Sequence, residues 1–182
     1  MTIIMNNDFY AECLVSKAPT AADTVKRVLI GLGTAVLAAG AFWFIFFPIS
    51  LFIIAGVFYG AYYLMTGIDA EYEYILTNGD LDIDKIIGKR KRKRLVTASI
   101  GDFTAFGKLS EAGDFDGTTV LASSGSGQDY YADFVHKTEG NVRLIFTPSE
   151  KILDGMELFL PRQLRQDFKL KRVRLTKETE EE

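Results

Sequence analysis

The chain has 182 residues, 48% hydrophobic and 25% charged, with a formal net charge of −3; that length holds one ordinary domain plus a membrane segment, and no basic excess points to nucleic acid. Its one cysteine, Cys13, and one histidine, His136, exclude an internal disulfide and a Cys/His zinc site. The charge is arranged in blocks, and the blocks carry more information than the sum.

Residues 1–7 read as unstructured. Asp8 is placed to cap a short amphipathic helix with Phe9, Tyr10, Cys13 and Leu14 on one side. Glu12 directly before Cys13, and the lack of an apolar run upstream, argue against lipoprotein acylation; Cys13 reads as a small half-buried thiol. Pro19 ends this helix, and Thr20 or Asp23 caps the next one. The whole segment, 1–27, is expected on the cytoplasmic side.

From 28 to 68 there is no Asp, Glu, Lys, Arg or His. A spanning helix needs about 20 apolar residues, and this run is about twice that. Pro48, near its middle, breaks the helical ladder. The expectation is a tight two-helix transmembrane hairpin, with spans at 28–47 and 49–67. A signal peptide is excluded by the late start and by length, since its apolar core has only about 7–15 residues. Lys17, Lys26 and Arg27 precede the first span, and Lys85 and a longer basic run follow the second; the loop between has no charge. The positive-inside rule then places both termini in the cytoplasm of a multi-pass protein of the cell membrane. Gly31, Ala35 and Ala39 form a small-residue stripe on span one, and Gly56 and Gly60 a GxxxG on span two. Equal depths of Ala39 with Gly56, and of Ala35 with Gly60, favour helix–helix packing within the hairpin; a homodimer through the same residues is the competing reading.

After Asp69 the period becomes two. Residues 71–77 and 80–84 read as strands joined by the hairpin turn Asn78-Gly79. Leu76, Leu81, Tyr74 and Ile83 fall on one face, and Glu73, Asp82 and Asp84 on a wet acidic one. A calcium loop at Asp80, Asp82 and Asp84 fails, because Lys85 and Lys91 stand where glycine and glutamate are needed. Further strands are expected at 92–100, 103–106, 118–122, 129–137 and 141–147. Asp114 and Asp116 read as turn residues, and the Ser/Gly turn 123–127 lacks the lysine and helix of a phosphate loop. Thr147-Pro148-Ser149-Glu150 announces a helix, with Thr147 as cap and Ile152, Leu153, Met156, Phe159 and Leu160 as its apolar face. Pro161 ends or bends it, Leu164 and Phe168 continue it, and 169–182 is a charged tail.

The expected fold class is therefore an α+β membrane protein: a transmembrane hairpin, then a small antiparallel β-sandwich or barrel over 70–168 capped by a C-terminal helix. That outline resembles a pleckstrin-homology-like (PH-like) domain. The motifs at 8–15, Glu71-Tyr72-Glu73-Tyr74, 77–84, 89–94, Phe103-Thr104-Ala105, 146–151 and Leu160-Pro161-Arg162 resemble an uncharacterised family of small bacterial membrane proteins with such a domain. The resemblance implies no activity and no cofactor.

The most prominent chemical feature is the run Lys89, Arg90, Lys91, Arg92, Lys93 and Arg94. Near anionic headgroups such a cluster gains about 1 kcal/mol per residue. PH-like domains mostly use a basic loop between the first two strands; here that loop is Asn78-Gly79, flanked by acids, and the run lies between the second and third. Three readings stand, in this order: topology plus cross-strand pairing with Glu71, Glu73, Asp82 and Asp84; anionic-lipid contact; docking of another macromolecule. His136 has no partner placed by sequence for general-base chemistry. The expectation is a non-enzymatic, membrane-tethered binding or scaffold module that contacts anionic lipid or a protein partner. The alternative is an accessory subunit of a transporter or envelope complex, acting through its hairpin.

Overall fold

Asn78 and Gly79 both adopt positive φ, 51° and 94°, and reverse the chain within two residues between β2 (Ala70–Thr77) and β3 (Asp80–Ile87). A second tight turn at Gly88 and Lys89, φ 59° and 56°, leads into β4 (Lys91–Ser99). The computed structural model describes residues 9–180. Upstream lie β1 (Tyr10–Ser16), α1 (Ala21–Phe44) and α2 (Ile49–Thr66). Downstream lie β5 (Phe103–Lys108), β6 (Thr118–Ala122), β7 (Tyr130–His136), β8 (Gly140–Phe146), α3 (Glu150–Phe159) and α4 (Arg162–Glu180). The sheets run β1-β2-β3-β4 and β5-β7-β8-β6. Two units divide the chain: a β unit of Met1–Val15, Tyr72–Lys85 and Lys93–Glu182, and a helical unit of Ser16–Glu71 and Ile86–Arg92.

The N-terminal segment corrects the expectation of a helix. Phe9, Ala11, Cys13 and Val15 turn inward, while Tyr10, Glu12 and Leu14 are exposed, which is the period of a strand. The Phe9 N–H donates to Asn78 Oδ1 at 2.9 Å, and the Asn78 N–H to the Phe9 carbonyl at 3.0 Å. The β domain therefore begins before α1, and the helical hairpin is inserted between its first two strands. Asp8, the expected cap, lies outside the described residues.

The core of the β unit gathers Tyr74, Leu76, Leu81 and Ile83 with Leu144, Phe146, Ile152, Leu153 and Met156, all essentially inaccessible. Each such side chain contributes about 1.5–3 kcal/mol by leaving water. The Tyr74 and Phe146 rings meet edge to face, centroids 6.0 Å apart. Glu73 and Asp84, expected on a wet face, are buried as well; the long Arg94 side chain pairs with Asp84 and covers it.

The second sheet is mixed rather than antiparallel. β7 and β8 pair antiparallel, with Asp133 opposite Arg143, but β6 runs parallel to β8, with Thr118 opposite Val142. The stretch 109–117 carries the chain from one sheet edge to the other, and Arg143 holds it there. Its guanidinium donates twice to Asp133, each at 2.7 Å, and once to the Gly113 carbonyl, and it lies over the Phe115 ring at 4.5 Å. The same carboxylate raises the arginine's pKa. Asp133→Ala should cost about 2–4 kcal/mol, because it strands a largely buried cation; chemical denaturation of the purified chain measures it.

Two differences appear at the C-terminal helices. Ser149, not Thr147, caps α3, accepting from the Ile152 N–H at 3.4 Å. Thr147 is drawn into the Ser/Gly turn instead: its hydroxyl accepts from the Ser124 N–H at 2.9 Å and donates to Asp129 at 2.6 Å. The expected charged tail is helical through Glu180 as part of α4, whose Phe168 packs on Phe106 with centroids 5.1 Å apart.

The Tyr74 hydroxyl donates to the Ala122 carbonyl at 2.5 Å and accepts from the Thr147 N–H at 3.3 Å. Burial pushes its pKa up to about 12. The folded state thus favours the neutral phenol, so the contribution is complete below pH 10 and is lost as pH rises from about 10 to about 12. Wild type should lose about 2 kcal/mol more than Tyr74→Phe across that window in alkaline unfolding. Equal slopes for the two proteins would contradict the assignment.

Candidate functional site

Helix α1 starts with a capping box: Thr20 accepts from the Asp23 N–H at 3.3 Å and the Asp23 carboxylate from the Thr20 N–H at 3.1 Å. Beyond it, α1 and α2 are apolar and pack mainly against each other. Asp23, Ala41, Ser50 and Ala61 are their only buried residues, while Trp43 and Phe44 are 81% and 85% exposed.

The expected stripes meet the inward side of the two helices at Gly31 and Gly60 and leave it at Ala35, Ala39 and Gly56. Exposure is reduced at Ile30, Gly31, Thr34, Ala38, Gly40 and Ala41 on α1, and at Ser50, Ile54, Val57, Gly60 and Ala61 on α2. Among them, Ile30, Thr34, Ala38 and Ala41, and Ser50, Ile54, Val57 and Ala61, follow mixed steps of three and four, which hold one side of a helix. A strict step of four drifts by about 40° each time. Ala35, Ala39 and Gly56 are accordingly exposed. Gly31 lies beside Met65, but a Cβ at Gly56 or Gly60 would meet nothing within 4 Å.

The C-terminal end of α2 is where the helical unit concentrates charge. Helix α2 has no basic residue in its last turn; Arg90 supplies one from the β3–β4 turn. Its Nη2 donates to the Tyr63 carbonyl at 2.9 Å and to the Thr66 hydroxyl at 2.6 Å, and the guanidinium lies 3.8 Å from the Tyr63 ring centroid. A cation here offsets the negative end of the helix dipole. Arg27 pairs with Asp69 at 2.5 Å, and the Gly88 N–H donates to the Asp69 carbonyl at 2.9 Å. A Cβ at Gly88 would stand 2.8 Å from the Thr66 carbonyl oxygen, at positive φ. Gly88→Ala should therefore pull the turn off α2 and cost about 1–3 kcal/mol, read as a lower melting temperature of the solubilised chain. Tyr62, Thr66, Asp69, Gly88, Lys89 and Arg90 enclose a cleft of about 420 Å³.

The six basic residues thus separate by role. Arg90 is bound to α2. Arg94 pairs with Asp82 and Asp84, which hold its pKa up, and Arg92 also has a partner. Lys89, Lys91 and Lys93 are exposed, and among the described residues no carboxylate lies within ion-pair distance of them. Because β1 precedes the hairpin, the run covers the turn after the third strand of the sheet and the start of the fourth, rather than lying between the second and third. Nothing local in the sequence marks Arg90 as different from Lys89; its partners lie 24 and 27 residues away.

In the β unit, His136 Nδ1 sits 3.1 Å from the Thr138 hydroxyl. A second cleft, about 480 Å³, is lined by Lys108, Gln128, Asp129, Tyr130 and Glu150 among others. Its charged residues, Lys108, Asp129 and Glu150, are of mixed sign. Burial raises the pKa of its Tyr130.

A family model described as "Bacterial PH-like domain (DUF6106)" matches residues 7–166. No curated protein and no solved structure matches the chain.

Proposed function

The chain belongs to the bacterial PH-like domain family, and from that premise we propose that it is a membrane-anchored binding or scaffold module rather than an enzyme. PH-like domains are generally non-catalytic binding modules. In this reading α1 and α2 cross the cell membrane, both termini lie in the cytoplasm, and the β domain works at the inner surface near anionic headgroups.

One observation carries the reading: two long apolar helices leave nearly all their surface uncovered, from Val25 and Leu29 through Trp43, Phe44 and Phe58. A water-exposed patch of that extent is not found on a soluble monomer, whereas lipid covers it at no cost. The charge distribution supports the orientation. Lys17, Lys26 and Arg27 lie at one end of the hairpin with Lys89 to Arg92, and the turn at the other end is aromatic and uncharged. Alkaline carbonate washing of membranes from expressing cells tests the anchor. The chain should stay in the pellet; quantitative release into the supernatant would remove the reading.

A second reading is favoured by the open glycine face of α2. With nothing within 4 Å of a Cβ at Gly56 or Gly60, another helix could approach closely there, as in a homodimer or in an accessory subunit of a larger assembly. Exchange of the hairpin for an unrelated two-span hairpin separates the readings. Retained function supports the tethered module, and loss restored by reinstating Gly56 and Gly60 supports the assembly subunit.

A further inference from the structure

We infer that the cleft between the end of α2 and the β3–β4 turn is a discrete binding site for a phosphate group, supplied by one phospholipid headgroup. The inference rests on the membrane reading only for the source of that phosphate. The cleft, about 420 Å³, lies within the range of about 300–1,000 Å³ usual for ligand sites. Two cations, Lys89 and Arg90, line it together with the phenol of Tyr62.

Arg90 is held in place before any ligand arrives. Its two hydrogen bonds to α2 both use Nη2, and the Tyr63 ring fixes the plane of the guanidinium. Nη2 belongs to both two-donor edges of the guanidinium, so Arg90 offers a phosphate oxygen a single N–H, from Nη1 or Nε, and the Lys89 ammonium supplies the second charged donor. Lys89 sits at positive φ beside Gly88, at the tip of the turn, with its side chain exposed and carrying no ion pair among the described residues. Two features could repel an anion here, the carbonyl end of α2 and the carboxylate of Asp69. Both are neutralised on the spot: Arg90 binds the Tyr63 carbonyl, and Arg27 pairs with Asp69 at 2.5 Å.

The depth is right for a headgroup. Tyr59, Tyr62 and Tyr63 ring the last turns of α2, where aromatic side chains mark the membrane–water boundary. A diffuse basic run would attract anionic lipid through all its lysines alike. A built cleft distinguishes Lys89 from Lys91 and Lys93, which do not line it.

The test uses the full chain, purified in a nonionic detergent, with retained lipid counted by native mass spectrometry. The probes are phosphatidylglycerol, phosphatidylethanolamine, diacylglycerol and, separately, inorganic phosphate as a thermal stabiliser. The phospholipids should be retained and diacylglycerol should not. Lys89→Asn, which suits positive φ, should weaken phospholipid retention about tenfold, the loss of one charge-assisted contact. Lys91→Asn and Lys93→Asn should stay within about twofold of wild type, since diffuse surface charges contribute little in a detergent micelle at physiological salt. An equal fall for all three lysines, or none for Lys89→Asn, overturns the discrete site. Stabilisation by inorganic phosphate that Lys89→Asn abolishes, without retention of phospholipid, upholds the phosphate site and assigns it to the free ion. The inorganic-phosphate arm does not depend on lipid, so it reports the cleft even if carbonate washing releases the chain and the membrane reading fails.

Discussion

Val36→Asp and Phe58→Asp should each raise the free energy of membrane insertion by about 3 kcal/mol, the cost of an acid near the centre of a spanning helix. Both residues are exposed, at 71% and 59%, and sit mid-helix in α1 and α2. In water, the same changes at exposed positions would alter stability by no more than about 0.5 kcal/mol and would raise solubility. The two environments therefore predict opposite outcomes for identical substitutions. In carbonate-washed membranes each variant should be partly lost from the pellet. The double variant, at about 6 kcal/mol if the sites are independent, should be almost wholly lost or degraded. A double variant retained as well as wild type would show that neither position meets lipid.

Phe146→Ala should destabilise the β domain by about 3–5 kcal/mol. Phe146 is fully buried where β8 meets Tyr74, and its neighbours Leu144 and Val142 are equally inaccessible. Little around the site can collapse to fill the space, because the surrounding rings and branched side chains are themselves fixed in the core. Amide-exchange protection across β7 and β8 in the solubilised chain should fall by about two to three orders of magnitude. Leu121→Ala, on the exposed side of β6 at 61% exposure, is the matched control and should leave protection within about threefold. Similar losses for the two would contradict the placement of the core.

Local chemistry was readable from the sequence, and distant partnership was not. Asn78-Gly79 states its turn because both residues tolerate positive φ, and Thr20 with Asp23 states a helix start because each can satisfy the other's backbone N–H. Strand β6 falls where alternation and flanking turns put it. Strand β1 departs from the expected helix because its sequence fits both periods: Phe9, Tyr10, Cys13 and Leu14 fit a helix, and Phe9, Ala11, Cys13 and Val15 fit a strand. The partner that decides between them, β2, lies beyond the whole hairpin. Thr147 is the cap the sequence points to; Asp129 and Ser124 claim its hydroxyl, and Ser149 caps α3 instead. The small-residue stripes follow a constant step of four, which drifts around a helix, so Gly31 and Gly60 have reduced exposure while Ala35, Ala39 and Gly56 are exposed. In the basic run the composition was plain, but the division into bound arginines and outward lysines is set by Tyr63, Thr66, Asp82 and Asp84, none of them adjacent in sequence.

The central claim is an anchored module whose β domain faces the cytoplasm, and cysteine accessibility tests it most directly. In a Cys13→Ser background, Ser126→Cys places a thiol on the exposed Ser/Gly turn and Phe46→Cys one in the uncharged turn between the helices. A membrane-impermeant maleimide should modify Ser126→Cys in inverted vesicles and not in intact cells, and Phe46→Cys with the reverse pattern. Modification of Ser126→Cys in intact cells would put the β domain on the other side of the membrane and contradict the account.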